Sequence, residues 1–449
     1  MSDSSEPVDI GGVLDEGQWG GYQRFVVALA ALAIIFDGVD IQVLGVAIPS
    51  LMADWHVARD PFKWVVAIGL VGMASGSVIG GLIGDRWGRR RALIGSVFVL
   101  GVFTAAASFA TGLMDLSILR FLAGIGLGGA LPNASALSSE YVPLRHRPFA
   151  VTLTIVCVPL GASLAGFVAA RALVNHSWHS LFAAGGTAAL AVALLLWLLL
   201  PESPRFLTRD PRRWPELATL LGRIGRAVPA RSHFVDRREQ SLARASIAAL
   251  LTPNYRRDTL LLWCAFFSCL LAVYLGFNWL PTMLRDAGLG VSTPGNGLGA
   301  FNLGGVAGAI IAALLIQRYG SRSTMLVIAL VAIAGTLVMS AMPLNPSASV
   351  AWILIMLALT GGAINAVQTT MYALSAHIYP TAVRATGVGA AATIGRLGAI
   401  GSAFAGAVAL GIGGSTMFFV VMGAAMAVTA VALTLMRRHV VRLRAPSGI

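Results

Sequence analysis

The chain has 449 residues, 57% of them hydrophobic and only 11% charged, whereas a soluble globular chain carries about 25% charged residues. That excludes a large soluble core and marks a polytopic membrane protein. The net charge of +13 does not mark a nucleic-acid binder, because the bases sit in short loops between apolar runs, as the positive-inside rule describes.

Residues 1–24 carry Asp3, Glu6, Asp9, Asp15 and Glu16 ahead of a full-length apolar run. This argues against a signal peptide and predicts a flexible cytoplasmic tail. Roughly twelve runs of membrane-spanning length follow, at 25–51, 64–84, 92–111, 116–140, 148–172, 179–200, 258–284, 296–317, 323–343, 350–378, 385–411 and 414–436. Arginines crowd every second loop: Arg86, Arg89, Arg90 and Arg91, then Arg145 and Arg147, then the central loop, then Arg437, Arg438, Arg442 and Arg444. The other loops hold few bases, so both termini and the central loop are expected in the cytoplasm. The expected fold is an all-α polytopic membrane protein with twelve transmembrane helices in two six-helix pseudo-repeat bundles. Its parts are the tail 1–24, a bundle over 25–200, the central loop 201–257, a bundle over 258–436 and a cytoplasmic tail 437–449.

The first span holds Phe36-Asp37-Gly38-Val39-Asp40. A charged Asp at mid-bilayer costs about 2.5–3.5 kcal/mol on insertion scales, so each acid must be protonated, paired or wetted. Their i, i+3 spacing predicts one shared, water-reachable helical face. Intramembrane acids usually mark ion or proton pathways, and Asp37 and Asp40 are read as proton-coupling residues; the alternative is a pair that only fixes helix packing.

After the second span comes Gly84-Asp85-Arg86-Trp87-Gly88-Arg89-Arg90-Arg91. Glycines let helix ends pack closely, Asp85 can cap or pair, and the arginines bind carboxylates. Gly84, Asp85, Arg86, Gly88, Arg89 and Arg90 are read as a cytoplasmic gate, against an ordinary basic loop. This run closely resembles the loop 2–3 signature of the major facilitator superfamily.

The fourth span begins Leu119-Arg120-Phe121 and continues through a glycine run to Glu140, about 30 Å of helix rise away from Arg120. Arg120 can attract a substrate anion, neutralise Asp40 or snorkel to the interface. Glu140 can join the gate or end in solvent. Pro201-Glu202-Ser203-Pro204-Arg205 resembles a run shared by several branches of the superfamily.

The second half repeats the first. Ile48-Pro49-Ser50 matches Leu280-Pro281-Thr282, and Asp85-Arg86-Trp87-Gly88 matches Gln317-Arg318-Tyr319-Gly320 at the same offset. Repeated halves rocking about a midplane site are the architecture of many secondary transporters. Asp37 and Asp40 align with Cys269 and Ala272, so protons are assigned to the first half and substrate shaping mainly to the second. The seventh span offers Tyr274 and Asn278, and the tenth offers Asn365, Gln368 and Tyr372 on one face. These groups suit an aromatic ligand or serve as interhelical glue. Arg396, near the middle of the eleventh span, suits a planar carboxylate.

The Asp37-to-Asp40 motif, the Arg120 glycine run and Arg396 together resemble the aromatic acid:proton symporters. That resemblance implies import of a benzoate, hydroxybenzoate or lignin-derived acid across the bacterial inner membrane. It implies substrate-binding roles for Arg120, Arg396, Tyr274, Asn278, Asn365, Gln368 and Tyr372, and protons, the acid and the bilayer as partners. The alternatives are a proton-driven exporter of drugs or aromatic metabolites, a sugar or organic-ion porter, and a transporter-like sensor. The histidines lack metal-ligand spacing, no phosphate-binding Gly-Lys-Ser/Thr loop occurs, and the cysteines fall in apolar runs. Neither an enzyme, a cofactor, a metal nor nucleic acid is expected; the proton gradient is the expected energy source and a monomer the working unit.

Overall fold

In a bilayer every backbone N–H and C=O must find a partner within the protein, which for long apolar runs means helix. The computed structural model describes residues 8–175, 177–226, 228, 233–236, 250–345, 349–379 and 381–439. Arg231, Arg237, Arg238, Arg244, Arg442, Arg444 and residues 1–7 lie outside the described residues. The first bundle comprises α2 (Gly21–Trp55), α3 (Phe62–Trp87), α4 (Arg89–Ala107), α5 (Leu113–Tyr141), α6 (Arg147–Asn175) and α7 (Trp178–Leu199). A short α1 (Ile10–Asp15) precedes it, and α8 (Pro204–Thr208) and α9 (Trp214–Arg223) follow in the central loop. The second bundle comprises α10 (Arg256–Asp286), α11 (Thr293–Tyr319), α12 (Ser321–Ala341), α13 (Val350–Ile378) and α14 (Thr381–Leu435).

Among the described residues, eleven helices are long and apolar enough to span a membrane. The last, α14, breaks at Gly413 and Gly414, where Gly414 takes φ 56° and ψ −139°. A left-handed backbone favours glycine, and the break turns α14 into two arms at the expected eleventh and twelfth spans. The all-α twelve-span fold therefore stands.

The repeat shows in the packing. On α3, Gly72 and Gly76 press against the backbone of α5 at Phe121 and Ile125; their counterparts Gly304 and Gly308 press α11 against α13 at Ala358 and Gly362. Small residues let helices approach where lipid supplies no hydrophobic drive.

The bundles meet through α2 and α10, α6 and α11, and α3 and α14. Their shared contacts lie toward the face away from the central loop. There Arg59 pairs with Asp286, the Trp64 and Phe404 rings stand 5.0 Å apart, and Ser163 Oγ donates to Gly299 O at 3.0 Å. One apolar core crosses between bundles there, joining Val43 and Leu51 to Leu280 and Met283. At the loop-bearing face a second core, with Ile34, Tyr141 and Leu196, joins the first bundle to Ile10 of α1 and to Leu207, Leu217 and Phe234 of the central loop.

Residues 8–15 are docked rather than trailing free. β1 (Val8–Asp9) pairs in parallel with β2 (Phe234–Val235). Asp9 caps α1 by accepting from the Gly11 amide at 3.1 Å. Ile10 and Leu14 are fully buried, and Asp15 accepts from Arg147 and from Arg205. Apolar burial and two arginines outweigh the chain entropy of a short acidic segment.

A side chain at Gly76 would strike the Ile125 carbonyl, whereas one at Gly81 meets open space. Gly76→Val is expected to lose at least about 1–3 kcal/mol through overpacking, and Gly81→Val to stay within about 0.5 kcal/mol of the parent. Thermal unfolding in detergent reads both.

Candidate functional site

Asp37 and Asp40 lie one turn apart near the middle of α2, and both are buried. Their settings differ. Arg120 from α5 grips Asp40 with two parallel hydrogen bonds, Nη1 to Oδ2 and Nη2 to Oδ1, each 3.2 Å. Thr104 from α4 completes a ring: its hydroxyl donates to Asp40 Oδ1 at 2.5 Å and accepts from Arg120 Nη2 at 2.9 Å. The guanidinium also lies 5.3 Å above the Phe182 ring. A buried ion pair needs such a full set of partners, because desolvation offsets much of the attraction.

Asp37 has no such ring. Its Oδ1 is buried without a hydrogen-bond partner. The residue lines a cavity of about 590 Å³ between the bundles, within the range of small-molecule sites. The cavity runs from Asp37 and Arg396 at mid-membrane to Arg147 and Ala376 at the loop-bearing face. Arg396 donates from Nη1 to the Met73 carbonyl at 2.7 Å, reaching from the second bundle to the first.

The second bundle supplies most of the polar wall. Asn365, Gln368 and Tyr372 of α13 and Tyr274 of α10 all line the cavity. Asn365 Nδ2 donates to Gly361 O at 2.9 Å, leaving its carbonyl oxygen for other partners. Tyr372 stands edge-on to Phe266 at 5.1 Å. A cation, two phenols, two amides and apolar walls suit a flat aromatic anion.

Asn278 falls elsewhere. With Asp40 and Arg120 it lines a separate chamber of about 50 Å³ on the side away from the central loop. Ile41, Met73, Leu127 and Tyr274 line both spaces and form the wall between them. The single shared face expected for the two acids is therefore corrected. Positions i and i+3 differ by about 60° around a helix, enough for a wall to pass between them.

The basic motif sits at the loop-bearing face. Arg89 pairs with Asp85 at 2.5 Å and with Glu140 at 3.5 Å. The Arg90 amide donates to Glu202 Oε1 at 3.0 Å, and Ser203 donates to Glu140. Gly88 takes φ 104°, and a Cβ there would strike the Glu202 carboxylate. Asn133 Oδ1 and Arg89 occupy the space beside Gly84. These contacts join elements of the first bundle and its following loop. Arg86 closes the last turn of α3.

Sequence reasoning missed Thr104, Met73 and four cavity-lining polar residues, Ser135, Arg147, Thr152 and Thr369. A hydroxyl in an apolar run was the available signal for Thr104; nothing marked a backbone carbonyl at Met73 as an arginine's acceptor.

The family profile described as Major Facilitator Superfamily matches residues 30–403 and 295–448. A gallate transporter of Pseudomonas putida is 35% identical over 445 residues, covering 99% of this chain and 98% of the relative. A 4-hydroxybenzoate transporter of the same organism is 35% identical, with 90% of each chain covered. A benzoate transport protein of Acinetobacter baylyi is 30% identical, covering 88% and 85%. Among solved structures, the inward open xylose transporter of E. coli superposes with a TM-score of 0.74 at 18% identity, covering 93% of this chain and 97% of that one. That likeness concerns the fold.

Removing one partner of a buried ion pair leaves the other uncompensated, at a cost of about 3–5 kcal/mol. Asp40→Asn and Arg120→Gln are each expected to lower the thermal midpoint sharply. The double variant is expected to be more stable than the sum of the single losses allows. A double-mutant cycle of unfolding in detergent measures the coupling.

Proposed function

Because the chain belongs to the major facilitator superfamily, we propose that it imports an aromatic carboxylate together with protons across the bacterial inner membrane by alternating access. The observation that carries this reading is the cavity that holds Arg396 and Asp37, whose Oδ1 lacks a hydrogen-bond partner, together between the bundles. Relatives named for gallate, 4-hydroxybenzoate and benzoate support the substrate class.

Charge accounts for the coupling. In a low-dielectric cavity one arginine is best balanced by one carboxylate. Empty, Arg396 is balanced by ionised Asp37. Loaded, it is balanced by the substrate carboxylate, and Asp37 carries a proton. Either half-loaded state leaves an extra charge in the closed protein, which disfavours rocking. The fully loaded and fully empty carriers are the forms that cross.

The remaining roles follow from position. Tyr274 and Tyr372 flank the ring, while Asn365 and Gln368 meet its substituents. Asp40 serves as a second proton-coupling group whose protonation would loosen its grip on Arg120, freeing that cation. The positive-inside pattern supports cytoplasmic placement of the central loop and both termini, so the cavity faces the cytoplasm here. The pairs made by Asp85, Arg89, Arg90 and Glu140 brace the first bundle's inner end as a gate. The Arg59–Asp286 pair closes the outer end. The proton gradient is the energy source, and one protein chain suffices.

In proteoliposomes with an imposed pH gradient, the parent is expected to accumulate 4-hydroxybenzoate. Asp37→Asn is expected to abolish accumulation while still binding the acid. Charge-assisted hydrogen bonds contribute about 1.5–3 kcal/mol, so Arg396→Gln is expected to weaken binding about tenfold or more. Accumulation surviving in Asp37→Asn, or efflux driven by the same gradient, contradicts the proposal.

A further inference from the structure

The chamber beside Asp40 has a construction distinct from the substrate cavity. Its volume of about 50 Å³ is too small for a benzene ring with a carboxylate and sufficient for a water or two. Its lining is buried or half-buried, and three polar groups meet there: Asp40, Arg120 and Asn278. Arg120 spends both terminal nitrogens on Asp40 and Thr104, yet its Nε has no hydrogen-bond partner. Asn278 is 5% exposed, and its Nδ2 also lacks a partner. Buried donors without partners are destabilising, and ordered water is the usual remedy where space allows.

We infer that this chamber is an internal water site, holding one or two waters that hydrogen-bond Asn278 Nδ2, Arg120 Nε and Asp40, and that it is the outer port for the transported proton. The inference rests on the proton-coupled reading above. The wall of Ile41, Met73, Leu127 and Tyr274 separates the chamber from the substrate cavity, so proton and acid enter from different rooms. A protonated water gives its proton to an Asp40 oxygen, leaving neutral water and a neutral carboxyl. When the wall at Met73 and Tyr274 parts, water that reaches both acids carries the proton one helical turn to ionised Asp37, restoring the Asp40 carboxylate and its bond to Arg120. No other bond forms or breaks. The groups that bear on Asp40 are Arg120 from α5, Thr104 from α4, Tyr274 and Asn278 from α10, and Asp37 on its own helix; Arg396 lies beyond the wall, bonded to Met73 O.

Two measurements test this. The first is a structure of the purified protein at a resolution that shows ordered water. It is expected to show water within hydrogen-bonding distance of Asn278 Nδ2 in the parent and none in Asn278→Leu; an empty or apolar-filled chamber in the parent overturns the inference. The second compares pH-gradient-driven uptake of 4-hydroxybenzoate with its counterflow at equal pH. Counterflow exchanges loaded carriers and needs no net proton entry. Asn278→Leu is expected to reduce gradient-driven uptake at least about tenfold more than counterflow, as is Val66→Phe, which fills the chamber from α3. Asn278→Ser, which keeps a polar group and room for water, is expected to hold the ratio near the parent's. Equal loss of both activities in a folded Asn278→Leu overturns the proton port. A parent that accumulates no aromatic acid counts against the proposed function, and the water density still decides the chamber.

Discussion

A guanidinium in the membrane interior needs an anion, a carbonyl or water beside it, and among the described residues Arg120 and Arg396 meet that need in different ways. Arg120 has a resident partner, Asp40, fixed by Thr104 into a closed ring. Arg396 shares its cavity with Asp37 but spends its resolved hydrogen bond on a backbone carbonyl, Met73 O. The first arrangement is a resident charge pair with both terminal nitrogens of Arg120 used. The second leaves a cation that, in the proposed cycle, is balanced by an anion from outside while nearby Asp37 takes a proton. Selectivity and coupling then share one origin, the cost of an unbalanced charge away from water.

The two halves have the same frame and different cargo. Glycines at corresponding positions of α3 and α11 create matching close approaches to α5 and α13. The acids are not repeated: their counterparts Cys269 and Ala272 are buried apolar positions of α10. The repeat-related pair Asp54 and Asp286 has diverged as well. Asp54 accepts from Trp178 Nε1 at 3.0 Å within its own bundle, whereas Asp286 reaches Arg59 of the other. One copy stabilises a bundle; the other ties the bundles together on the side closed in this state. Duplication gives the two bundles a common frame, and divergence at a few polar positions gives them different contacts.

Much of the frame was legible because membrane spans obey few rules. Run length placed the helices, the basic loops ordered them, and the glycines at 413–414 divided the final 55-residue helix as its two apolar runs implied. Of the site, Asp37, Arg396, Asn365, Gln368, Tyr274 and Tyr372 were picked out by polarity in apolar runs, and they share one cavity. What stayed hidden depends on neighbours brought in from other helices. Asp37 and Asp40 looked equivalent in sequence; Arg120 and Thr104 make them different. Asn278 resembled a substrate contact until the wall at Met73 and Tyr274 put it in the other room. The acidic stretch at 8–15 read as a tail because its anchors, Arg147, Arg205 and the strand at 234–235, lie far along the chain.

In the proposed cycle an aromatic anion and a proton cross together because neither alone leaves Arg396 balanced. The most direct test is a pH-electrode record of a lightly buffered suspension of proteoliposomes when 4-hydroxybenzoate is added outside without a pre-set gradient. Alkalinisation of the medium is expected to track entry of the acid and to be absent when Asp37 and Asp40 are both replaced by Asn. Uptake at an undiminished rate with no change in external pH would contradict the cycle.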